Sequence, residues 1–138
     1  MTREDKDLVL KDLCGRLPYG VKCYIPEAND TSILGCIQED GVNTLFDFWE
    51  DSRKIQYWHQ LYISEFKPYL FPLSSLTEEQ KTELFDEVVE LELKAINDEI
   101  NHTDALMFEI DWYHKNHIDY RGLIDKGLAI DATDKDIY

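Results

Sequence analysis

The chain contains no G-x-G-x-x-G string, no P-loop and no G-x-S-x-G, so dinucleotide binding, nucleoside triphosphate binding and serine acyl transfer have no support in its sequence. An H-E-x-x-H pattern is missing as well. Cysteine is sparse: Cys14, Cys23 and Cys36 are odd in number, match no zinc or redox spacing, and have no obvious histidine or acidic partner nearby in sequence. They read as reduced thiols in a cytoplasmic protein, with Cys23 and Cys36 at strand positions that want a small apolar residue. No apolar run approaches membrane-spanning length, and Thr2–Asp7 is too charged to begin a signal peptide. Internal repeats and low-complexity segments are also lacking.

Positive charge is the other scarcity. Against 29 Asp/Glu stand 14 Lys/Arg, a net charge of −15. The excess is uneven: residues 77–138 carry −11 and residues 1–76 carry −4. Such a field keeps a small protein soluble and repels nucleic acid, phosphorylated ligands and anionic membrane, so direct nucleic-acid binding and membrane association are not expected. The remaining composition, 43% hydrophobic and 12% aromatic, is that of a chain that folds around one core.

Within residues 3–17, Leu10, Leu13, Cys14 and Leu17 recur at helical spacing, which predicts a short amphipathic helix that Pro18 and Gly20 end. The period then changes to two. Strands are expected at 21–25, 32–38, 43–49 and 55–63, with Asp40-Gly41 as a type I′ hairpin turn and 50–54 as a charged turn. Pro68 and Pro72 make residues 66–76 an extended connector that runs along the strands and closes them. The expected fold is therefore α+β: a short helix, a small SH3-like β-barrel or meander over residues 1–76, and an acidic helical region over 77–138 packed on it as one unit.

Thr77-Glu78-Glu79-Gln80 is a capping box, and it opens a helix of about 23 residues whose stripe is Leu84, Val88, Leu91 and Ala95, flanked by Phe85, Val89, Ile96 and Ile100. Residues 101–104 break it, and Thr103 is the expected cap of a second helix ending near His117. Asp119 can cap a last turn over 120–126, with Gly127 as its stop, and the tail after Ala132 reads as loose.

Three strings carry a resemblance: K-D-L-C-G-R-L-P-Y-G-V (Lys11–Val21), K-P-Y-L-F-P-L-S-S-L-T-E-E-Q (Lys67–Gln80) and D-W-Y-H-K-N-H-I-D-Y-R-G-L-I-D-K-G-L-A (Asp111–Ala129). In these the chain resembles small acidic proteins of phages, prophages and mobile elements of gut-dwelling anaerobic bacteria. The stretch from about Glu27 to Tyr62 is unmatched. That family has no assigned activity, so the resemblance carries over no catalytic residue. It implies an accessory protein acting inside a bacterial cell.

Several constellations could carry function. Asp111, His114 and His117, three residues apart, would suit zinc if one helix held them along one side; their bland reading is partly exposed helix residues, and no cofactor is expected. The rings of Phe46, Phe48, Trp49, Tyr57, Trp58 and Tyr62 exceed what a small barrel can hold inside, so some form either a partner-binding rim or a wall for the long helix. Glu83, Asp86, Glu87 and Glu90 crowd one side of the acidic helix and could imitate DNA phosphates, although with ten acidic and two basic residues over 77–104 their linear density is several-fold below DNA's one charge per about 1.7 Å. The segment Asp119-Tyr120-Arg121-Gly122-Leu123-Ile124 is expected to be a structural clasp, with Arg121 in an ion pair with a helix carboxylate; self-association through a homodimer is the competing use of its apolar face. The functional expectation is a non-enzymatic protein that binds a host or phage protein, possible forms being an anti-defence inhibitor or a DNA mimic, with a metal-dependent enzyme as the remaining alternative.

Overall fold

In the computed structural model, residues 1–38, 41–50 and 53–138 are described, with side chains for all of these except 44–50, 53–57 and 59. Helix α1 (Arg3–Arg16) opens on a capping box: the Thr2 hydroxyl accepts from the Asp5 N–H at 3.1 Å, and the Thr2 N–H donates to the Asp5 carboxylate at 3.3 Å. Its buried face is Val9, Asp12, Leu13 and Arg16. Cys14 is exposed, so the helix is turned from the orientation expected, with a charged pair rather than Cys14 on its inner side. The chain then makes a short 3-10 turn and leaves it at Gly20, whose φ of 70° is the left-handed geometry glycine accepts freely.

Strands β1 (Lys22–Ile25), β2 (Asp30–Ile37), β3 (Gly41–Glu50) and β4 (Arg53–Tyr62) form an antiparallel meander. The expected Asp40-Gly41 turn falls partly outside the described residues, as do 51–52 of the charged turn; Gly41 itself is the first residue of β3, opposite Tyr62. Between Leu34 and Cys36 the β2–β3 register slips by one residue. This bulge swings Cys36 outward, which is why it is exposed instead of filling the apolar strand position expected of it.

The proline-containing connector is a strand, β5 (Lys67–Pro72), and it lies antiparallel to β1. Two short strands from the far end of the chain join β5 in parallel, β6 (Ile118–Asp119) at Phe71–Pro72 and β7 (Ile130–Asp131) at Tyr69–Leu70. The sheet order is β4-β3-β2-β1-β5-β6, with β7 also on β5. The fold is mixed α+β with a helix first, as expected, but the sheet is open. The expected SH3-like closure is not present: β4 and β6 stand at opposite ends of the order, and no pairing among the described strands joins them.

Helices α2 (Glu78–Ile96) and α3 (His102–Lys115) form an antiparallel hairpin beyond β6. The Thr77 capping box is present, with Gln80 N–H donating to the Thr77 hydroxyl at 3.1 Å. Helix α2 ends four residues sooner than its apolar pattern predicts, because Asp98 adopts a φ of 58° and Glu99 N–H bonds back to the Lys94 carbonyl, a Schellman closure. The cap of α3 is Asn101, whose side chain accepts from the Thr103 N–H at 3.0 Å; Thr103 lies inside the helix.

One face of the sheet holds the main core. Val21, Cys23, Ile25, Leu34, Val42 and Leu61 meet Val9 and Leu13 of α1 and Leu123, Leu128 and Ala129 of the C-terminal turn. A smaller cluster of Leu84, Trp112 and Ile118 seats the helical hairpin against the β5–β6 edge. The sheet and its core thus draw on chain from both sides of residue 76. The tail after Ala132, expected to be loose, is anchored: Lys135 N–H bonds to the Ala132 carbonyl, and the Tyr138 ring lies against Phe71 and His117.

Candidate functional site

The fully buried pair of α1 sits at the centre of a polar network. Arg16 Nε and Nη2 donate to the two carboxylate oxygens of Asp12 at 2.6 and 3.1 Å, and Nη2 also reaches the Ile118 carbonyl at 2.7 Å. Arg121 brings a second guanidinium, with Nε 3.3 Å from Asp12 Oδ1. The Tyr120 ring lies near both cations, its centroid 5.6 Å from the Arg16 guanidinium carbon and 5.0 Å from that of Arg121. The Tyr120 hydroxyl is 2.8 Å from His114 Nε2, and Tyr113 stacks on the same ring. Burial first, then the positive charge of Arg16, lowers the His114 pKa and favours its neutral form.

Gly15 makes this arrangement possible. A β-carbon at position 15 would collide with the His114 imidazole, so α1 and α3 approach through the bare backbone of Gly15. Asp119 completes the segment by accepting from the N–H groups of Leu123 at 2.9 Å and Ile124 at 2.8 Å, which holds the 120–126 turn in place. Leu123 is fully buried and Ile124 packs against the main core. Arg121 pairs with a carboxylate of α1. Since Asp12 and Arg16 have no exposed surface, the pair offers no atom to a ligand in solution, and its chemistry is internal neutralisation.

Asp111, His114 and His117 do not converge. Asp111 is exposed, His114 is turned onto Gly15 and Tyr120, and His117 lies past the end of α3 at a φ of 59°, where helical spacing no longer applies. The His117 imidazole stacks on Tyr138 with centroids 3.6 Å apart. Among the described residues, no group of three or more His, Cys, Asp or Glu is arranged to hold a metal ion, and no helix is long and apolar enough to cross a membrane.

Two surfaces remain. The first is the sheet face opposite the core, where Trp58 and Tyr62 of β4 are 59% and 67% exposed and Ile33 of β2 is 39% exposed. Trp58 and Tyr62 are four residues apart on one strand and therefore on one face. The Trp58 ring reaches across β3 to lie on Gly35, at a point a β-carbon would occupy. Of the other rings expected to contribute, Phe46, Phe48, Trp49 and Tyr57 have side chains outside those described. The outer side of β4 has no neighbour among the described strands.

The second surface is α2. Glu83, Asp86, Glu87 and Glu90 are all exposed, as are Phe85, Val89, Leu93 and Ile96. Sequence periodicity assigns Phe85, Val89 and Ile96 to the flanks of a buried stripe; the helix instead buries only the Leu84 and Ala95 side and leaves these residues bare, with Leu93 beside them. No family model, curated protein or solved structure matches this chain.

Proposed function

We propose that this protein is a non-enzymatic binding module, and that an extended segment of a partner protein adds to the β4 edge with its side chains on Trp58 and Tyr62. The observation that carries the reading is the exposure of two large aromatic rings, 59% and 67%, on the same face of a ten-residue edge strand. Edge strands with unpaired backbone groups recruit extended chains, and aromatic side chains dominate the energetics of such contacts. The sequence of β4 has no proline, and its Lys and Arg residues are confined to Arg53 and Lys54 at its start, so it has few of the features by which edges are usually blocked. The resemblance to accessory proteins of phages and mobile elements supports a host or phage protein as the partner, with inhibition of a defence protein as one form of the binding.

A tagged protein used as bait in bacterial lysate, beside a Trp58→Ser/Tyr62→Ser variant of unchanged melting temperature, tests this. Stoichiometric capture by the parent that the variant loses, with new amide protection in β4 on binding, supports the reading. Equal capture by both, no capture by either, or turnover in a hydrolase or transferase screen that the variant retains, overturns it.

A further inference from the structure

Helix α2 carries more apolar surface than its own chain covers. With about 100° between successive residues, Leu84, Val88, Leu91 and Ala95 share the side turned to α3 and the β5–β6 edge, while Phe85, Val89, Leu93 and Ile96 fall on a second side. Their exposures are 69%, 36%, 55% and 69%. From Phe85 to Ile96 the stripe is about 16 Å long, three helical turns. Two grooves at the α2–α3 junction run along one side of it, one of about 440 Å³ beside Phe85 and one of about 260 Å³ beside Ile96; they share Val88 and Glu109, and the second reaches exposed Leu106 of α3.

Carboxylates outnumber cations around the stripe, where, among the described residues, Lys81 is the one basic residue on its borders. Asp86, Glu90 and Glu83 follow it on one border, and Glu92 lies on the other. The two lysines of α2 are already engaged, Lys81 with Glu78 at 3.2 Å and Lys94 with Glu90 at 3.5 Å. An apolar strip edged by carboxylates is complementary to an amphipathic helix with Lys or Arg beside its apolar face. A second copy would instead set carboxylate rows against each other in a chain of net charge −15. A mimic of DNA has no use for an exposed apolar strip.

We infer that the Phe85–Ile96 stripe of α2 is a docking site for a cationic amphipathic helix of at least three turns on a partner protein, separate from the β4 surface. Apolar contact fixes the helix in the stripe, and the bordering carboxylates set its orientation and accelerate its capture.

The test uses the full chain and a synthetic amphipathic Leu/Lys peptide of four turns, with a scrambled peptide of identical composition as control, read by fluorescence anisotropy at physiological salt. The expected result is binding of the amphipathic peptide at least tenfold tighter than the scrambled one, and at least a tenfold loss in a Phe85→Ser/Leu93→Ser variant, whose changes are at exposed positions and leave the circular dichroism spectrum unaltered. Equal binding of the two peptides means that charge alone acts, as in a DNA mimic, and overturns the proposal. So does a variant that binds as the parent does, or no binding at all. Sedimentation that finds a parent dimer and a variant monomer assigns the stripe to a second copy and overturns it equally. None of these readouts depends on Trp58 or Tyr62, so failure here is distinguishable from failure of the β4 reading.

Discussion

The main-chain N–H of Lys22 donates to the hydroxyl of Tyr138 at 2.8 Å, across 116 positions of sequence. The same hydroxyl donates to the Tyr69 carbonyl at 2.9 Å. The β1–β5 pairing of Cys23 with Pro68 and Tyr24 with Lys67, continued by one step, sets Lys22 opposite Tyr69, so a phenol from the tail occupies the next rung of the ladder. The Lys22 ammonium meanwhile donates to the Ile137 carbonyl at 2.6 Å. Tyr138→Phe keeps the ring and removes the rung, leaving one donor and one acceptor without their partner. The expected cost is about 1–2 kcal/mol, measured by urea denaturation, with no change in m-value.

Asp12→Ala is expected to be among the most damaging single changes in the protein. It strips the carboxylate from beside two guanidiniums, one of them fully buried. Loss of one member of a buried pair costs about 3–5 kcal/mol, mostly through the charge left behind. The double variant Asp12→Leu/Arg16→Met should recover much of that loss. Thermal melts of Asp12→Leu, Arg16→Met and the double, read as a cycle, check the coupling.

At Gly15 two effects of opposite sign compete. Alanine favours the helix by about 1 kcal/mol, whereas forcing a methyl into the His114 ring costs about 1–3 kcal/mol and displaces the imidazole from Tyr120. The steric effect should win, and Gly15→Ala should melt lower than the parent. In a His114→Ala background the same change should be neutral or stabilising.

Burial, with Arg16 and Lys22 nearby, lowers His117 from 6.5 to about 4. The folded protein therefore takes up this proton less readily than the unfolded chain does. Its contribution to stability is complete above about pH 6.5 and is lost as the pH falls toward 4. His114 is shifted the same way, by burial and then by Arg16. Asparagine tolerates the left-handed backbone of position 117, so His117→Asn should flatten, though not abolish, the fall in denaturation free energy between pH 7 and pH 4.5.

Local signals in the sequence located most of the elements. The two capping boxes, the period-two runs and the prolines at 68 and 72 depend on neighbours within a few residues, and the strands and helices stand close to where those signals put them. What escaped was decided at long range. Asp12 and Arg16 look in sequence like any solvated i,i+4 pair, because the groups that bury them, Ile118, Tyr120 and Arg121, lie more than 100 positions on. Strand count could not decide between a closed barrel and an open sheet, since that turns on whether the two ends of the strand order, β4 and β6, meet. The polar composition of the tail hid one aromatic residue, Tyr138, with two good hydrogen bonds to make. On α2 the periodicity marked the apolar positions but could not say that only one of two sides would be covered.

The bond from Arg16 to the Ile118 carbonyl also has a bearing on how the chain folds as it is synthesised. The first helix carries the Asp12–Arg16 pair, and the groups that complete its burial, the Ile118 carbonyl for Arg16 and the Arg121 guanidinium for Asp12, do not exist until more than 100 further residues have been made. Strands β1 to β5 meanwhile expose the core face that Leu123, Leu128 and Ala129 will cover. Closure of so long a loop is slow, and until it happens the nascent chain presents an apolar sheet to its surroundings. Folding should therefore be a single late event, and the emerging chain a client for chaperones until residue 118 and the turn after it have cleared the ribosome.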